Sequence, residues 1–519
     1  MVFSRRIVRV LPVVALAFVV TACSTNPVTG KNELTLVSDN QERSIGLKNY
    51  GPYRQAQGGD YVVDQALLEY VQSVGDRIAK VSDRKLDYEF RIVNDSTPNA
   101  WALPGGKIAL NRGLLLEMQS EAELAAVLSH EIVHAAARHS AQAMERGIFI
   151  QGAVLAAGVA LSDSDYRQAG MLGAGLGASL TKMHFGRDAE READLYGMQY
   201  MMRAGYDPEA AVRLQETFVR LSKGKNPGWL EGMFASHPPS QERVENNRRL
   251  VASLKNPGGE LGVARYQKKI AYLKRKEKAY KKYDEAKKAF DKKQDDMALK
   301  LVNQAIRAEP KEALFHSLRG EIRQREGKKK DAKINYDRAI AHNPEYFRFH
   351  LLRGLLNREL GNRLAAESDL QTSIDKLPTA EGYFGLGRIA QHGGRRDLAI
   401  SHYRKASQST STLGKQAGLH LARLDLENNP GRYIKTQIGL DANKHLFVRV
   451  SNDSPVAVRR VRLVLGLQSG GGLREQASYW LRRSLAAGER VTVRTEFGPL
   501  KSKQARQFSA VITDARLAE

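Results

Sequence analysis

Three residues within five positions carry the clearest chemistry in this chain: His130, Glu131 and His134, an HExxH motif. Side chains four residues apart lie on one face of a helix, so the two imidazoles can bind one metal ion together. Glu131 follows the first ligand directly, where a carboxylate can serve as general base. The motif alone leaves two interpretations open, a zinc site or two histidines on a solvated helix face.

A catalytic zinc site usually has three protein ligands, so a third donor is required. His139 follows His134 by five residues, off the metal-facing stripe, and is rejected as a ligand. Glu190, on a second predicted helix, is the better candidate. Asp194 lies one turn further on the same face and can accept a hydrogen bond from the far nitrogen of a zinc-bound histidine. Glu192 points elsewhere, and the alternative for Glu190 and Asp194 is ordinary surface charge.

The elements around the motif are predicted from periodicity. Apolar spacing predicts helices over 64–80, 121–144 and 185–203, and alternation predicts a strand over 88–93. A Pro-Gly-Gly turn then separates two short β-prone segments within 99–111. An open strand beside a zinc site can bind an extended peptide by β-augmentation, and an ordinary hairpin is the alternative. The candidate substrate-binding residues are Trp101, Ala102, Gly106, Lys107 and Ile108.

Residues 148–180 are rich in glycine, alanine and apolar side chains, with a polar break at 162–165. Each half is too short for a transmembrane span, so a helical hairpin packed near the site is predicted. Core packing through small residues is one interpretation. A lid or membrane-contacting element is the other.

The first residues favour export. Three arginines precede an apolar run over 10–20, which has signal-peptide length. Val20-Thr21-Ala22-Cys23 resembles a bacterial lipobox, in which Cys23 is lipidated and becomes the mature N-terminus. Ser24, in place of Asp, goes with sorting to the outer membrane of Gram-negative bacteria. Cys23 is the only cysteine, which excludes an internal disulfide.

The chain has 519 residues and a formal net charge of +24, from 81 basic and 57 acidic residues. Such an excess favours acidic surroundings, namely nucleic acid, anionic lipid or lipopolysaccharide, although a well-charged soluble surface explains it equally. Export argues against nucleic acid as the partner. The membrane, reached through lipidated Cys23, is the expected one.

Beyond Gly258 the sequence repeats every 34 residues. Pro310, Pro344 and Pro378 share this spacing, as do several glycine and alanine positions. A 34-residue period with small residues where helices cross is the tetratricopeptide signature. After residue 430 the pattern changes to period two, which predicts a small β-sandwich. The predicted domains are a lipoprotein signal peptide (1–22), a zinc metallopeptidase domain (23–257), a repeat array (265–430) and the β-sandwich (431–519).

Four stretches together resemble the zinc metallopeptidases of the CAAX-prenyl-protease and HtpX class: HEIVH, EREAD, Asn-Ala-Trp-Ala-Leu-Pro-Gly-Gly and Ser236-His237-Pro238 with Arg243. With export and the repeats, the chain is most similar to periplasmic BepA-like proteases, over about residues 26–429. The lipobox is not universal among them, and the β-rich C-terminus lies outside their pattern. The resemblance implies a mainly α, gluzincin-type peptidase domain with a small β-sheet, followed by an α-solenoid.

The resemblance also implies roles for individual residues. His130, His134 and Glu190 match the ligands of one Zn²⁺ per chain, and Glu131 matches the general base. Asp194 matches the residue that supports a ligand. His237 matches a histidine that can occupy the fourth zinc position and hold the enzyme inactive, and Arg243 matches an arginine near the active site.

Two functions follow as expectations. The first is a lipid-anchored zinc endopeptidase on the periplasmic side of the outer membrane, which degrades misfolded or misassembled envelope proteins. The second is a chaperone or assembly factor, in which the repeats bind the outer-membrane assembly machinery and the peptidase is usually closed. The retained HExxH motif, Glu190 and Asp194 favour activity. The two functions can coexist.

Overall fold

The structure is a computed structural model that describes residues 23–145, 185–223, 237–255, 257–469 and 472–518. The predicted signal peptide and the predicted hairpin of 148–180 lie outside the described residues. The chain forms two compact units, Met1–Phe347 and Arg348–Glu519. Each unit is described by itself.

The first unit contains the HExxH helix and a small sheet. Its elements up to the repeats are β1 (Cys23–Thr25), β2 (Asn32–Leu34), α1 (Asp39–Ala56), α2 (Gln65–Ala79), β3 (Glu89–Val93), β4 (Ala100–Leu103), β5 (Lys107–Asn111), α3 (Arg112–Glu117), α4 (Glu121–Ala136), α5 (Arg187–Arg203), α6 (Glu209–Ser222), α7 (Gln241–Ser253) and α8 (Val263–Lys269). Strands β1 and β2 pair as a short hairpin. The sheet has the order β3-β5-β4, with β3 parallel and β4 antiparallel to the central strand β5.

Helix α2 shows how the apolar pattern sets the core. Its side chains at Leu67, Val71, Val74 and Ile78 are buried, as the predicted spacing requires. Asp64 accepts a hydrogen bond from the backbone N–H of Leu67 and so caps the first turn. The predicted helix over 64–80 is therefore confirmed.

The turn between β4 and β5 needs its two glycines. Gly105 and Gly106 have φ values of 76° and 84°, in the left-handed region that glycine enters without steric cost. Helix α1 packs directly on this turn, because a Cβ at Gly46 would lie 1.8 Å from the carbonyl oxygen of Pro104. The hairpin is thereby clamped against α1.

Helix α4 ends earlier than its apolar pattern predicts. It stops at Ala136, and Arg138 adopts φ 61° before a new helical turn starts at His139. Arg138 keeps this conformation through contacts with other elements: its guanidinium donates to Glu42 and to the carbonyl oxygen of Val37. The prediction of one helix over 121–144 is wrong at this point because tertiary contacts outweigh local propensity.

The repeat helices begin inside the first unit and share its core. They are α9 (Ala271–Asp291), α10 (Asp295–Ala308), α11 (Ala313–Arg325) and α12 (Lys329–His342). Tyr266, Tyr280 and Phe315 belong to the same buried cluster as Leu128 and Ile132 of α4. The peptidase region and the first repeats therefore form one hydrophobic core.

The second unit continues the repeats and ends in two sheets. Its elements are α13 (Phe347–Glu359), α14 (Arg363–Lys376), α15 (Ala380–His392), α16 (Arg396–Ala406), α17 (Thr412–Asp425), α18 (Pro430–Tyr433), β6 (Ile434–Leu440), β7 (Leu446–Asn452), β8 (Val458–Ser469), β9 (Gly472–Trp480), β10 (Arg490–Arg494), α19 (Ser502–Ala505) and β11 (Phe508–Leu517). The sheets are antiparallel, with the orders β10-β7-β6 and β11-β8-β9. The two sheets are separate and three-stranded, and the predicted β-sandwich stays a prediction.

The period of 34 residues has a packing cause. In three of the repeats, a glycine of the first helix lies against the residue sixteen positions later in the second helix. The Cβ positions of Gly320, Gly354 and Gly387 approach the side chains of Tyr336, Leu370 and Tyr403 to 2.5, 2.9 and 2.8 Å. A larger side chain at these glycines would push the helices apart, so the tetratricopeptide pattern is confirmed as helix pairs.

Within the described residues, helices long and apolar enough to cross a membrane are absent.

Candidate metal centre

Two closely packed helices bring the HExxH residues and Glu190 together. Gly197 of α5 lies against α4, and a Cβ there would stand 3.3 Å from Ser129 Oγ and 3.4 Å from the backbone nitrogen of His130. The absence of a side chain at Gly197 and the small Ser129 let the helices approach. Glu190 and Asp194, two and one turns before Gly197, then face α4.

Four donors converge beside α4. His130, His134, Glu190 and His237 each present one atom, and these atoms all lie within 4.8 Å of one another. His130 Nε2 is 3.1 Å from His134 Nε2 and 3.3 Å from His237 Nδ1. Glu190 Oε1 lies 3.4 Å from His134 Nε2 and 2.7 Å from His237 Nδ1. Two helices and the segment after residue 236 thus supply one cluster.

The cluster fits a zinc ion. Zinc binds imidazole nitrogen at about 2.0–2.1 Å, so two donors of a tetrahedral site stand about 3.3 Å apart. The distances among His130, His134 and Glu190 agree with this spacing. Both carboxylate oxygens of Glu131 and the Nε2 atom of His237 are buried without a hydrogen-bond partner. Buried polar atoms are seldom left unpaired, and a bound ion with its substrate would satisfy them.

Asp194 and Arg243 support the cluster from behind. Asp194 Oδ1 lies 3.1 Å from His130 Nδ1 and accepts its hydrogen bond, which leaves Nε2 free to bind a metal. Arg243 donates two hydrogen bonds to Asp194, at 2.9 and 2.6 Å. Its Nη1 is also 3.0 Å from Glu190 Oε2, an ion-pair distance without hydrogen-bond geometry. Arg243 therefore orients both carboxylates.

The charges of the cluster depend on each other. Burial lowers the pKa of His130, but the hydrogen bonds of Asp194 and Glu190 outweigh it and raise this pKa to about 10. Burial, together with the nearby His130 and His139, lowers the pKa of His134 well below its usual value and outweighs the hydrogen bond of Glu190. Burial raises the pKa of Glu131, whereas the surrounding histidines outweigh burial at Glu190 and hold its pKa well below the ordinary range. Glu190 thus keeps the charge a metal ligand needs, and Glu131 has the raised proton affinity of a base.

His237 stands beside Glu131 as well as among the donors. Its Nδ1 points at the cluster, and its Nε2 is 3.5 Å from Glu131 Oε1. The side chain is 2% exposed, and Phe185 packs nearby with its ring 5.6 Å from that of His237. In this arrangement His237 occupies the side of the cluster that Glu131 faces.

His139 has a contact that the sequence analysis missed. Its Nδ1 is 2.9 Å from His134 Nδ1, and its Nε2 is 3.3 Å from Glu192 Oε2. Lys31 reaches Glu192 in turn, at 2.7 Å. Glu192 accepts a hydrogen bond from His139 and pairs with Lys31. These two contacts outweigh burial and lower the pKa of Glu192 to about 2.

The missed contact has a backbone cause. On a continuous helix, residues 134 and 139 point in different directions, which justified excluding His139 as a ligand. The left-handed Arg138 ends α4 and turns His139 back toward His134. The sequence offered only a weak signal for this contact: His139 lies shortly after the HExxH motif, and Glu192 lies between Glu190 and Asp194.

The predicted substrate strands are clamped into the sheet. Lys107 and Ile108 belong to β5, which is hydrogen-bonded on both edges, whereas Ala102 belongs to β4, an edge strand. Gly106 forms part of the turn. The ring of Trp101 packs on Tyr53 at 4.5 Å, and its Nε1 donates to Gln57. The described sheet has two edge strands, β3 and β4, and of the two strands that carry the predicted substrate residues only β4 lies at an edge.

Residues 65–251 match the model of peptidase family M48. The matched range contains every residue of the donor cluster and the supporting pair Asp194 and Arg243. The resemblance stated from the motifs is therefore confirmed over this part of the chain, whose donor set is suited to one zinc ion.

Named relatives match over part of their length. A putative beta-barrel assembly-enhancing protease of Vibrio cholerae is 33% identical over 195 residues, which cover 36% of this chain and 39% of that protein. The mitochondrial metalloendopeptidase OMA1 of Schizosaccharomyces pombe is 37% identical over 177 residues, 34% of this chain and 50% of that protein. The chain thus spans half or less of each relative. Among solved structures, MamA aligns with 28% of this chain at 21% identity and a TM-score of 0.24.

Proposed function

From the M48 match of residues 65–251, we propose that this protein is a zinc-dependent endopeptidase that hydrolyses peptide bonds in misfolded or misassembled cell-envelope proteins. The observation that carries the proposal is the donor cluster of His130, His134 and Glu190 with the unpartnered carboxylate of Glu131 beside it. A purely structural cluster would pair that buried carboxylate.

Each residue of the site has a separate role in the proposed hydrolysis. His130, His134 and Glu190 hold the metal, and a bound zinc ion supplies Lewis acidity toward the substrate carbonyl. Glu131 takes a proton from the attacking water at a carboxylate oxygen and returns it to the leaving amine. Asp194 fixes the tautomer of His130, and Arg243 holds Asp194 in place. Burial of the site keeps bulk water from competing with these contacts.

His237 acts as a gate in this proposal. A substrate must approach the side of the cluster that Glu131 faces, and His237 stands there with its Nδ1 among the donors. The imidazole therefore has to move before a peptide carbonyl can enter. Once displaced, His237 or Arg243 can stabilise the developing oxyanion.

The substrate is expected to bind in an extended conformation beside β4. Strand β5 has a neighbour on both edges, so Ala102 of β4 lies at the edge that a peptide backbone can use. Trp101, Lys107 and Ile108 contribute by holding this edge in place. Lys107 does so through its ion pair with Glu89, at 3.3 Å.

The proposal also includes a location for the protein, at the outer membrane. Lipidation of Cys23 would anchor the chain to the periplasmic side of the outer membrane, with the repeats bound to the outer-membrane assembly machinery. Assembly of β-barrels appears in the name of the Vibrio cholerae relative. Mass spectrometry of membrane-extracted protein tests the anchor: an acylated Cys23 supports it, and an unmodified N-terminus upstream of Cys23 contradicts it.

The test of the enzyme is Glu131→Gln. Purified zinc-loaded protein should cleave an unfolded substrate such as β-casein, and the variant should lose at least about 10²-fold in rate because the base is gone. Zinc content and melting temperature should stay near wild type. A variant that cleaves at the wild-type rate would refute the assignment of Glu131.

A binding role for the repeats is the second candidate, favoured by the helix pairs that extend through both units. In this alternative the protein is a chaperone or assembly factor for outer-membrane proteins. Complementation separates the two roles. Full rescue of a deletion strain by the Glu131→Gln variant would favour binding, and failure to rescue would favour proteolysis.

A further inference from the structure

Two arginines of neighbouring helices lie side by side in the second unit. Helix α15 packs on α13 at Gly385, whose Cβ position is 3.3 Å from a methyl carbon of Leu355. Arg358 follows Leu355 by three residues and Arg388 follows Gly385 by three, so each lies one turn further on the contacting face. Burial and the nearby Arg388 lower the pKa of Arg358, as expected for two cations held close together.

A third arginine joins them from α17. The ring of Phe384, one turn before Arg388, stands 5.6 Å from the ring of His420. Arg423 follows His420 by three residues on the same helix. Burial, Arg388 and Arg423 together lower the pKa of His420, which agrees with their proximity. Arg358, Arg388 and Arg423 are called the arginine face below.

The arginine face differs from those arginines of this unit that pair with a carboxylate. Several of those are neutralised by a carboxylate; these pairs are Arg353 with Asp369 at 2.6 Å, Arg395 with Glu367 at 2.7 Å and Arg404 with Asp425 at 3.4 Å. Within the described part of the unit, the arginine face takes part in none of the ion pairs. Glu359 acts electrostatically on Arg358, but the two form no ion pair in this described part. Like charges kept together without a paired carboxylate reduce stability, so packing alone does not explain them.

We propose that the arginine face binds an acidic peptide segment of a partner protein. Guanidinium groups form fork-like, charge-assisted pairs with carboxylates, and three of them on successive helices can meet carboxylates spaced along one extended chain. Arg358 and Arg388 are half-buried between helices. A narrow peptide can reach such groups, whereas a bilayer surface is contacted best by fully projecting cations.

Fluorescence anisotropy with full-length, zinc-loaded protein tests the proposal. The probe is a fluorescein-labelled peptide of alternating glutamate and glycine, and the same peptide with glutamine is the ligand control. The variant combines Arg358→Gln, Arg388→Gln and Arg423→Gln. Its affinity for the glutamate peptide should fall about tenfold or more, since each lost charge-assisted bond weakens binding. Wild-type binding should also weaken as salt rises.

A matched control removes the same charge elsewhere in the unit. Arg363→Gln, Arg449→Gln and Arg490→Gln together change three exposed arginines. This control should bind within about twofold of wild type, because distant exposed charges are screened. Equal losses in both triple variants, or equal binding of the glutamine peptide, would overturn the proposal. Arginine-dependent binding of phosphatidylglycerol vesicles without peptide binding would overturn it too, in favour of a membrane surface.

Stability distinguishes a binding face from a structural one. Because the arginine face holds like charges together, its triple variant should melt at or above the wild-type temperature. Arg353→Gln, which breaks the pair with Asp369, should lower it. A comparable fall in the arginine-face variant would overturn the proposal. The assay reads binding and not cleavage, so its failure leaves the peptidase proposal untouched.

Discussion

His130 and His134 differ in the partner of Nδ1, the ring nitrogen that points away from the donor cluster. His130 donates to the carboxylate of Asp194, whereas His134 Nδ1 meets the ring nitrogen of His139, which Glu192 orients in turn. If His134 donates from Nδ1 and His139 donates from Nε2 to Glu192, every ring hydrogen has an acceptor and His134 Nε2 keeps its lone pair. His139 is therefore a positioning residue for the ligand His134.

His139→Ala should weaken zinc affinity about 10- to 100-fold, because the ligand loses the partner that fixes its tautomer and ring orientation. His139→Gln keeps an oxygen acceptor and should lose less. Competition with a chelator of known affinity measures the effect. His342→Ala, in the repeats, is the control and should keep wild-type affinity. Unchanged affinity in His139→Ala would refute the positioning role.

His237→Ala should increase cleavage, because three ligands remain and the side facing Glu131 is opened. If the gate is open in about a tenth of molecules, its removal raises the rate about tenfold. Initial rates on β-casein at equal zinc content measure this. Loss of activity with zinc retained would assign His237 to catalysis in place of gating.

At the scale of elements, the active-site helix α4 is anchored at its first residue. Glu121 accepts hydrogen bonds from Tyr70 at 2.7 Å and from Tyr206 at 2.9 Å, and it pairs with Arg265. These partners come from α2, from the turn before α6 and from α8. The carboxylate of Glu121 therefore fixes three elements to the N-terminus of α4. Burial raises the pKa of Glu121, but Arg265 and the two phenols outweigh it and lower the pKa overall.

Glu121→Gln should lower the free energy of unfolding by about 1–2 kcal/mol at pH 7, through loss of a charge-assisted network. A depressed folded pKa contributes stability that is present above the ordinary value of 4.5 and is lost as pH falls through the folded pKa. The difference in melting temperature between wild type and variant should therefore narrow below pH 4.5. Glu69→Gln, on exposed α2 surface, is the control, and a constant difference down to pH 3 would contradict the linkage.

At the scale of the whole molecule, the first repeats belong to the peptidase core. Tyr280 of α9 donates to Glu312 at 2.7 Å, and Asn94, after β3, donates to the same carboxylate at 3.0 Å. The guanidinium of Arg112, after β5, lies 3.5 Å from the ring centre of Tyr280. The ends of two strands of the sheet are thus fixed to repeat helices by a buried polar network.

A fragment of residues 23–257 should therefore fold poorly, whereas residues 23–347 should fold and bind zinc. The shorter fragment exposes the surface that Tyr266, Tyr280 and Phe315 cover, and each such burial contributes about 1.5–3 kcal/mol. Gel filtration, circular dichroism and zinc content of the two fragments measure this. Equal melting temperatures would show that the peptidase region is independent of the repeats.

The sequence by itself determined the ligand residues and the repeat helices. His130 with His134, and Glu190 with Asp194, each follow helical spacing, which depends only on local geometry, whereas the meeting of the two pairs was implied by the family resemblance. The 34-residue period follows from glycines such as Gly320, whose small size the helix crossing requires. Both patterns lie within one or two elements, where neighbours along the chain are also neighbours in space.

Only the tertiary structure decided the partners of those residues. Arg138 is held left-handed by Glu42, almost a hundred positions earlier, and this turn brings His139 to His134. His237 enters the donor cluster from a separate segment. The end of the HExxH helix, and with it the second support of the metal centre, depends on contacts between distant parts of the chain. Spacing along the sequence carries no record of such contacts, because they form only when the core closes.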